Sequence, residues 1–332
     1  MNRWVIFVID ELNRKIEYIR ISVTDRCNLR CVYCMPEEGI ENIPHQEILS
    51  YDEIIRICKC VANLGVKKVK ITGGEPLVRK DIIKLIREIK KINGIEEVTM
   101  TTNGVLLYEM ADELCEAGIG AVNISLDTLD RYKFFNITRR DQFNSVSKAI
   151  DKLIDLGIRV KINCLAIKEH NLDEIVKIAS YSKYNNIDVR FIELMPIGYG
   201  KNYTGISNES ILSLLEEKYG LFKKVSQKRG NGPAVYYKND DFKGYIGLIS
   251  AISNEFCETC NRVRLTANGF LKLCLHYNKG IDLKELIRGN ITDEDLENVI
   301  YTAIRNKPLG HNFYHDSDMN NIENKSMVQI GG

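Results

Sequence analysis

"YIRISVTDRCNLRCVYCMP" occupies residues 18–36. It starts as a strand: residues 18–24 are rich in β-branched and apolar side chains. It ends as a loop that carries Cys27, Cys31 and Cys34, with three residues and then two between successive thiols. The same strand signal recurs at 66–72, 96–102, 121–127, 159–165 and 188–194. Between these runs lie amphipathic segments with apolar residues three and four apart, clearest at 51–65 and 81–92. Gly65, Gly94, Gly118 and Gly157 follow helical patterns, where a left-handed cap suits glycine. Alternating strands and helices predict a parallel sheet. Six such units without a dinucleotide fingerprint fit a partial, incomplete TIM-like (β/α)6 barrel better than a Rossmann sheet.

The alternation stops near residue 200. A helix over 207–220 capped by Ser207, short strands near 234–238 and 243–249, and helices near 282–288 and 292–305 predict a smaller C-terminal α+β region. The division is expected at 10–205 for the barrel and 206–332 for the C-terminal domain. The tail past about 312 reads as loosely structured.

A net charge of +1 gives no sign of a surface built for polyanions, so nucleic acid is not an expected partner. No apolar run approaches the ~18 residues of a membrane span. Asp10 and Glu11 end the apolar start too early for a secretory leader. The chain reads as cytoplasmic, where its ten cysteines are not expected to form disulfides. Cys58, Cys60, Cys115 and Cys164 sit among apolar residues and read as buried small hydrophobes.

Three clustered thiols are one short of a closed structural zinc site. A [4Fe–4S] cluster held by three thiolates keeps one iron open for a small molecule. A zinc ion completed from elsewhere in the chain remains the other reading. The loop follows the first strand, and barrel chemistry gathers at the C-terminal strand ends. The other strand ends supply "TGGEP" (72–76), Thr101, Ser125 with Asp127, Asn163, and Glu193 with Met195. Gly73 and Gly74 would let a ligand approach the backbone.

"CNLRCVYC" followed by "GGEP" resembles the radical S-adenosylmethionine (radical SAM) superfamily. The resemblance implies that the open iron of the first cluster binds SAM and that one electron cleaves it to a 5′-deoxyadenosyl radical. By motif position it assigns Tyr33, Gly74, Ser125 and Met195 to SAM.

"FCETCNRVRLTANGFLKLCL" (256–275) holds a second trio, Cys257, Cys260 and Cys274. A zinc knuckle completed by His276 and a second cluster with an open iron both fit locally. In an extended "RVRL", Arg262 and Arg264 share a face and suit phosphate oxygens. Arg20, Lys70 and Lys161 on barrel strands could add positive charge, although Lys70 and Lys161 read equally well as ion-paired surface bases.

The ordered set "RISVTDRCNLRCVYCMP", "ITGGEPLVRKD", "TTNG", "NISLD", "RFIELMP", "FCETCNRVRLT" and terminal "IGG" resembles the GTP 3′,8-cyclase family of molybdenum cofactor biosynthesis, from about residue 10 to the end. The resemblance implies two [4Fe–4S] clusters, on Cys27, Cys31 and Cys34 and on Cys257, Cys260 and Cys274. It implies GTP held by Arg20, Lys70, Thr101, Lys161, Arg262, Val263 and Arg264, and conversion to (8S)-3′,8-cyclo-7,8-dihydroguanosine 5′-triphosphate. It places Gly331 and Gly332 of the tail in the active site. It also suggests a homodimer and delivery of product to cyclic pyranopterin monophosphate synthase; the electron donor stays open. Two positions depart from the family pattern: Lys70 stands for a usual arginine and Asn13 for a usual glycine, and "MNRWVIFVI" is extra sequence. The alternatives are a radical SAM enzyme that modifies peptides and a zinc-stapled nucleic-acid-binding protein without catalysis.

Overall fold

Strand-forming runs with apolar residues on both faces fold only where both faces are covered. The computed structural model describes residues 8–227, 229–253, 256–311 and 322–331. Six strands follow the expected runs: β1 Tyr18–Ser22, β2 Lys68–Thr72, β3 Glu97–Thr102, β4 Ala121–Ser125, β5 Val160–Ala166 and β6 Asp188–Glu193. Each pairs in parallel with the next. Helices Tyr51–Asn63 and Ile82–Lys90 cover the outer face with buried Ile54, Ile57, Ile82 and Ile86. Ser50 caps the first of these with a reciprocal Glu53, satisfying two otherwise orphaned donors.

The later strands are β7 Lys223–Val225, β8 Val235–Lys238, β9 Tyr245–Ile249, β10 Arg262–Leu265, β11 Phe270–Lys272 and β12 Gly280–Asp282. They join both edges of the same sheet, whose order is β12-β11-β10-β1-β2-β3-β4-β5-β6-β9-β8-β7. β10 runs parallel to β1 and β9 parallel to β6. The sheet is open and mixed, a partial TIM barrel extended at each side. Residue 200 therefore marks where βα alternation stops, while the sheet continues past it. Ser207 caps helix Asn208–Tyr219, as the sequence predicts, and Thr292 caps helix Asp293–Arg305.

Two details differ from the reading of the sequence. Cys115 is exposed, unlike Cys58, Cys60 and Cys164. Helix Leu107–Glu116 buries Leu107, Ala111 and Leu114, and the next position is turned about 100° away. The tail is packed over 322–331: Ser326 caps the short helix Met327–Ile330, and Val328 and Ile330 are buried. Four apolar side chains scattered over ten residues, two of them buried, are too weak a signal to reveal this beforehand. Asn13 has φ 59°, a left-handed conformation that asparagine tolerates, so its replacement of glycine is accommodated. Residues 1–7, most of the extra start, lie outside the described residues, as does Gly332. Among the described residues no helix is long and apolar enough to cross a membrane.

Candidate active site

Parallel register places side chains of neighbouring strands side by side. Arg20 on β1 lies opposite Arg264 on β10 and Lys70 on β2. Like charges in adjacent register repel, and burial adds to the penalty. Lys70 and Arg264 are 9% and 8% exposed. Burial, with Arg190, Arg20 and Lys161 nearby, holds the Lys70 ammonium well below the usual lysine range. Burial, with Arg20 and Arg262, does the same to Arg264. Lys161 is paired with Asp188 at 3.1 Å, and donates to Tyr236 Oη at 3.0 Å. Both lysines are therefore interior groups. The buried Nε atoms of Arg190 and Arg262 and Oδ1 of Asn163 find no partner among the described residues. Orphaned buried polar atoms of this kind, two donors and one acceptor, mark a place kept for a polar ligand.

A cavity of about 360 Å³ opens above this array. All six cysteines of the two trios line it, as do Tyr33, Gly74, Ser125, Met195, Thr101, Arg20, Arg262 and Arg264. Lys70 and Lys161 lie outside its wall, and Val263 turns its side chain into the hydrophobic core. The glycines of "TGGEP" serve the chain's own loop. A Cβ on Gly74 would sit 2.5 Å from the Arg26 carbonyl oxygen, and one on Gly73 2.8 Å from that of Thr24. Gly74 and Glu75 donate their N–H groups to Thr24 and Arg26 carbonyls, so β2 carries the thiol loop on its end.

The donor chemistry of the thiols fits iron–sulfur ligation. Cys27 Sγ accepts from Leu29 N–H at 3.4 Å and Asn103 Nδ2 at 3.7 Å. The Cys34 sulfur is hydrogen-bonded by the Val328 backbone. N–H groups aimed at sulfur are a lever on cluster potential. Burial pushes the Cys27 thiol up to about 11 and Cys34 up to about 12. Burial raises Cys31 too, helped by the charges of Cys34 and Cys27. Three crowded thiols therefore stay protonated until a cationic core takes them as thiolates. In the second trio burial also raises Cys260, but Lys307 and Arg262 outweigh it and bring the thiol down to about 7. No three His, Cys, Asp or Glu side chains among the described residues are gathered for a single ion.

Tyr33 Oη donates to Asp127 Oδ2 at 2.6 Å, and Leu165 N–H donates to Asp127 Oδ1 at 2.8 Å. This ties the thiol loop to the ends of β4 and β5. Glu193 has a bracing role instead: its carboxylate accepts the N–H groups of Asn208, Ile252 and Ser253. Gly331 has φ 78° and donates no side chain where a Cβ would lie 2.7 Å from Ser22 Cβ. Its carbonyl accepts from Arg264 Nη1 at 3.0 Å.

The sequence reading missed Arg14 and Arg190. Arg190 alternates with Asp188 on the inner face of β6, a signal available in "DVRFIEL". Arg14 offered none: apart from Asp10, its partners are carbonyls more than 240 residues away.

Comparison with known proteins gives the family. Residues 21–181 match the radical SAM superfamily, and residues 187–313 match Molybdenum Cofactor Synthesis C. The GTP 3′,8-cyclase of Clostridium perfringens is 45% identical over 97% of this chain and 99% of its own. That of Desulforamulus reducens is 46% identical over 98% and 100%. The chain belongs to the GTP 3′,8-cyclase family. Among solved structures, Streptococcus suis SuiB bound to S-adenosylmethionine has a TM-score of 0.61 at 18% identity, covering 88% of this chain and 68% of that one. SuiB bound to its precursor peptide SuiA has 0.62 at 17%, covering 96% and 72%. At that identity the likeness shows the fold alone, so it does not carry a peptide substrate to this family member.

Proposed function

We propose that this chain converts GTP to (8S)-3′,8-cyclo-7,8-dihydroguanosine 5′-triphosphate in molybdenum cofactor biosynthesis. The observation that carries the reading is a single cavity lined by both thiol trios and by the three arginines Arg20, Arg262 and Arg264. A peptide has no need of so dense a cationic floor; a triphosphate does.

Cys27, Cys31 and Cys34 would hold one [4Fe–4S] cluster, and Cys257, Cys260 and Cys274 the other. When bound, the clusters and SAM supply the reductive cleavage and hydrogen-atom abstraction that the side chains cannot perform. Tyr33, Gly74, Ser125 and Met195 would hold SAM against the first trio. Arg20, Arg262 and Arg264 would take phosphate oxygens, with Lys70, Lys161 and Arg190 adding positive charge from below and Thr101 a hydroxyl. Lysine at position 70 offers a point charge where arginine would offer a fork. Met327 and Val328 of the tail wall one side and exclude water from the reacting ribose. The hydrogen atom lost from C3′ would go to the SAM-derived radical, the C3′–C8 bond would form as the C8=N7 π bond opens, and one further electron and proton would complete the dihydroguanosine. The division at about residue 205, the homodimer, the cytoplasmic location and delivery of product to cyclic pyranopterin monophosphate synthase belong to the same proposal, supported by family membership.

The test is anaerobic incubation with SAM, a strong reductant and GTP. Deoxyadenosine and the cyclised triphosphate should accumulate together, and the protein should carry about eight irons per chain. Deoxyadenosine formed with GTP left intact would refute the assignment.

A further inference from the structure

The ordered part of the tail needs a reason to be ordered. Its helix, Met327–Ile330, is a single turn, too short to stabilise itself. Val328 and Ile330 are its buried residues. Yet Gly331 must arrive in one register, because a Cβ at that point would lie 2.7 Å from Ser22 Cβ and 3.2 Å from Thr72 Oγ1. A slip of one residue would put Ile330 there.

Eight positions earlier stands a charged anchor. Lys272 on β11 and Glu323 on the tail form an ion pair with side-chain exposures of 1% and 2%. Lys272 Nζ also donates to the Tyr277 carbonyl at 2.9 Å. Glu323 accepts the Lys325 N–H at 2.8 Å and donates its own N–H to the His276 carbonyl at 2.8 Å. Ile322 bridges Tyr277. Among the described residues this is the one ion pair that joins the tail to the sheet. Buried ion pairs are poor sources of stability but good devices for fixing register.

We propose that Lys272 and Glu323 are positioning residues that set the register of the C-terminal segment and, through the Gly331 carbonyl, the orientation of Arg264 toward the substrate. The proposal rests on the nucleotide reading above for the role of Arg264. The lock on the tail is independent of that reading. Both residues act at a distance: neither lines the cavity.

The experiment uses cluster-loaded full-length protein in two assays. Carboxypeptidase release of the terminal residues, without GTP, reports docking. Cyclised nucleotide formed per deoxyadenosine, with KM for GTP, reports positioning. Glu323→Gln leaves the Lys272 ammonium buried without a counter-charge, and should speed release about tenfold. It should also lower coupling and raise KM for GTP, with iron content and SAM affinity unchanged. Release and coupling at the unsubstituted rate would overturn the proposal; so would faster release with unchanged coupling. The double variant Lys272→Met with Glu323→Leu removes the unpaired charge. It should melt like the parent while coupling stays low, because apolar groups do not specify register. Full coupling in that variant would refute the register role. Lys272 is two residues from Cys274, so if the double variant loses iron, Glu323→Gln decides. If the parent consumes no GTP, the nucleotide reading fails, while protection of the tail still tests the lock.

Discussion

Arg14 should decide whether the second thiol trio can assemble. Its guanidinium is buried against the Asp10 carboxylate, with side-chain exposures of 3% and 0%. It donates to the carbonyls of Cys257 at 2.9 Å, Lys307 at 3.0 Å, Pro308 at 2.7 Å and Leu309 at 3.1 Å. One side chain thus clamps the start of the second thiol loop to the segment that carries Lys307, the cation that lowers Cys260. Arg14→Ala strands a buried carboxylate, which costs about 3–5 kcal/mol. Four carbonyls lose a charged donor, at about 1 kcal/mol or more each. The total, about 7–9 kcal/mol, falls within the ~5–15 kcal/mol that holds a whole domain together. The strain should be released locally, because the turn Cys257–Thr259 has no buried residue of its own. After anaerobic reconstitution, Arg14→Ala should carry about four irons instead of about eight, with SAM binding retained. Arg14→Lys keeps the charge without the fork and should fall between. A full complement of iron in Arg14→Ala, with normal GTP turnover, would refute the reasoning.

Three further outcomes follow from the same geometry. Gly331→Ala forces a left-handed alanine, at about 1–2 kcal/mol, against Ser22; turnover should drop at least roughly tenfold while iron content holds, and equal turnover would mean the tail docks elsewhere. Asp127→Asn weakens the tie to Tyr33; KM for SAM should rise about tenfold with the first cluster intact, and an unchanged KM would remove Asp127 from the positioning of SAM. Burial pushes the Glu75 carboxyl up to about 7, although Leu77, Thr102 and Asn103 donate to it. A raised carboxyl stabilises the fold fully below the ordinary carboxylate range, and that contribution is lost as pH rises through about 7. Melting of cluster-free protein should therefore shift in favour of Glu75→Gln between pH 5 and pH 8; a constant gap between variant and parent would show that Glu75 is ionised throughout.

The spacing of Cys27, Cys31 and Cys34 after a strand, and of Cys257 and Cys260 before "RVRL", was readable along the chain because local spacing and strand alternation dictate which side chains share a loop or face. The six barrel strands were readable for the same reason. Lys70 and Lys161 were ambiguous: nothing along the chain tells a surface lysine from one whose neighbours in space are Arg20, Arg190 and Asp188. Arg14, Glu323 and the packed tail were invisible, since each depends on a partner far away in sequence.

Local order along the chain thus determined the βα alternation, both thiol trios and the paired arginines. Tertiary structure alone decided that the last strands flank β1 and β6 in one sheet. That placement brings the trios to a common cavity, stacks Arg20 between Lys70 and Arg264, and seats Gly331 against Ser22. The physical reason is that pairing between strands is set by burial of whole faces, a sum over the molecule that no short stretch contains.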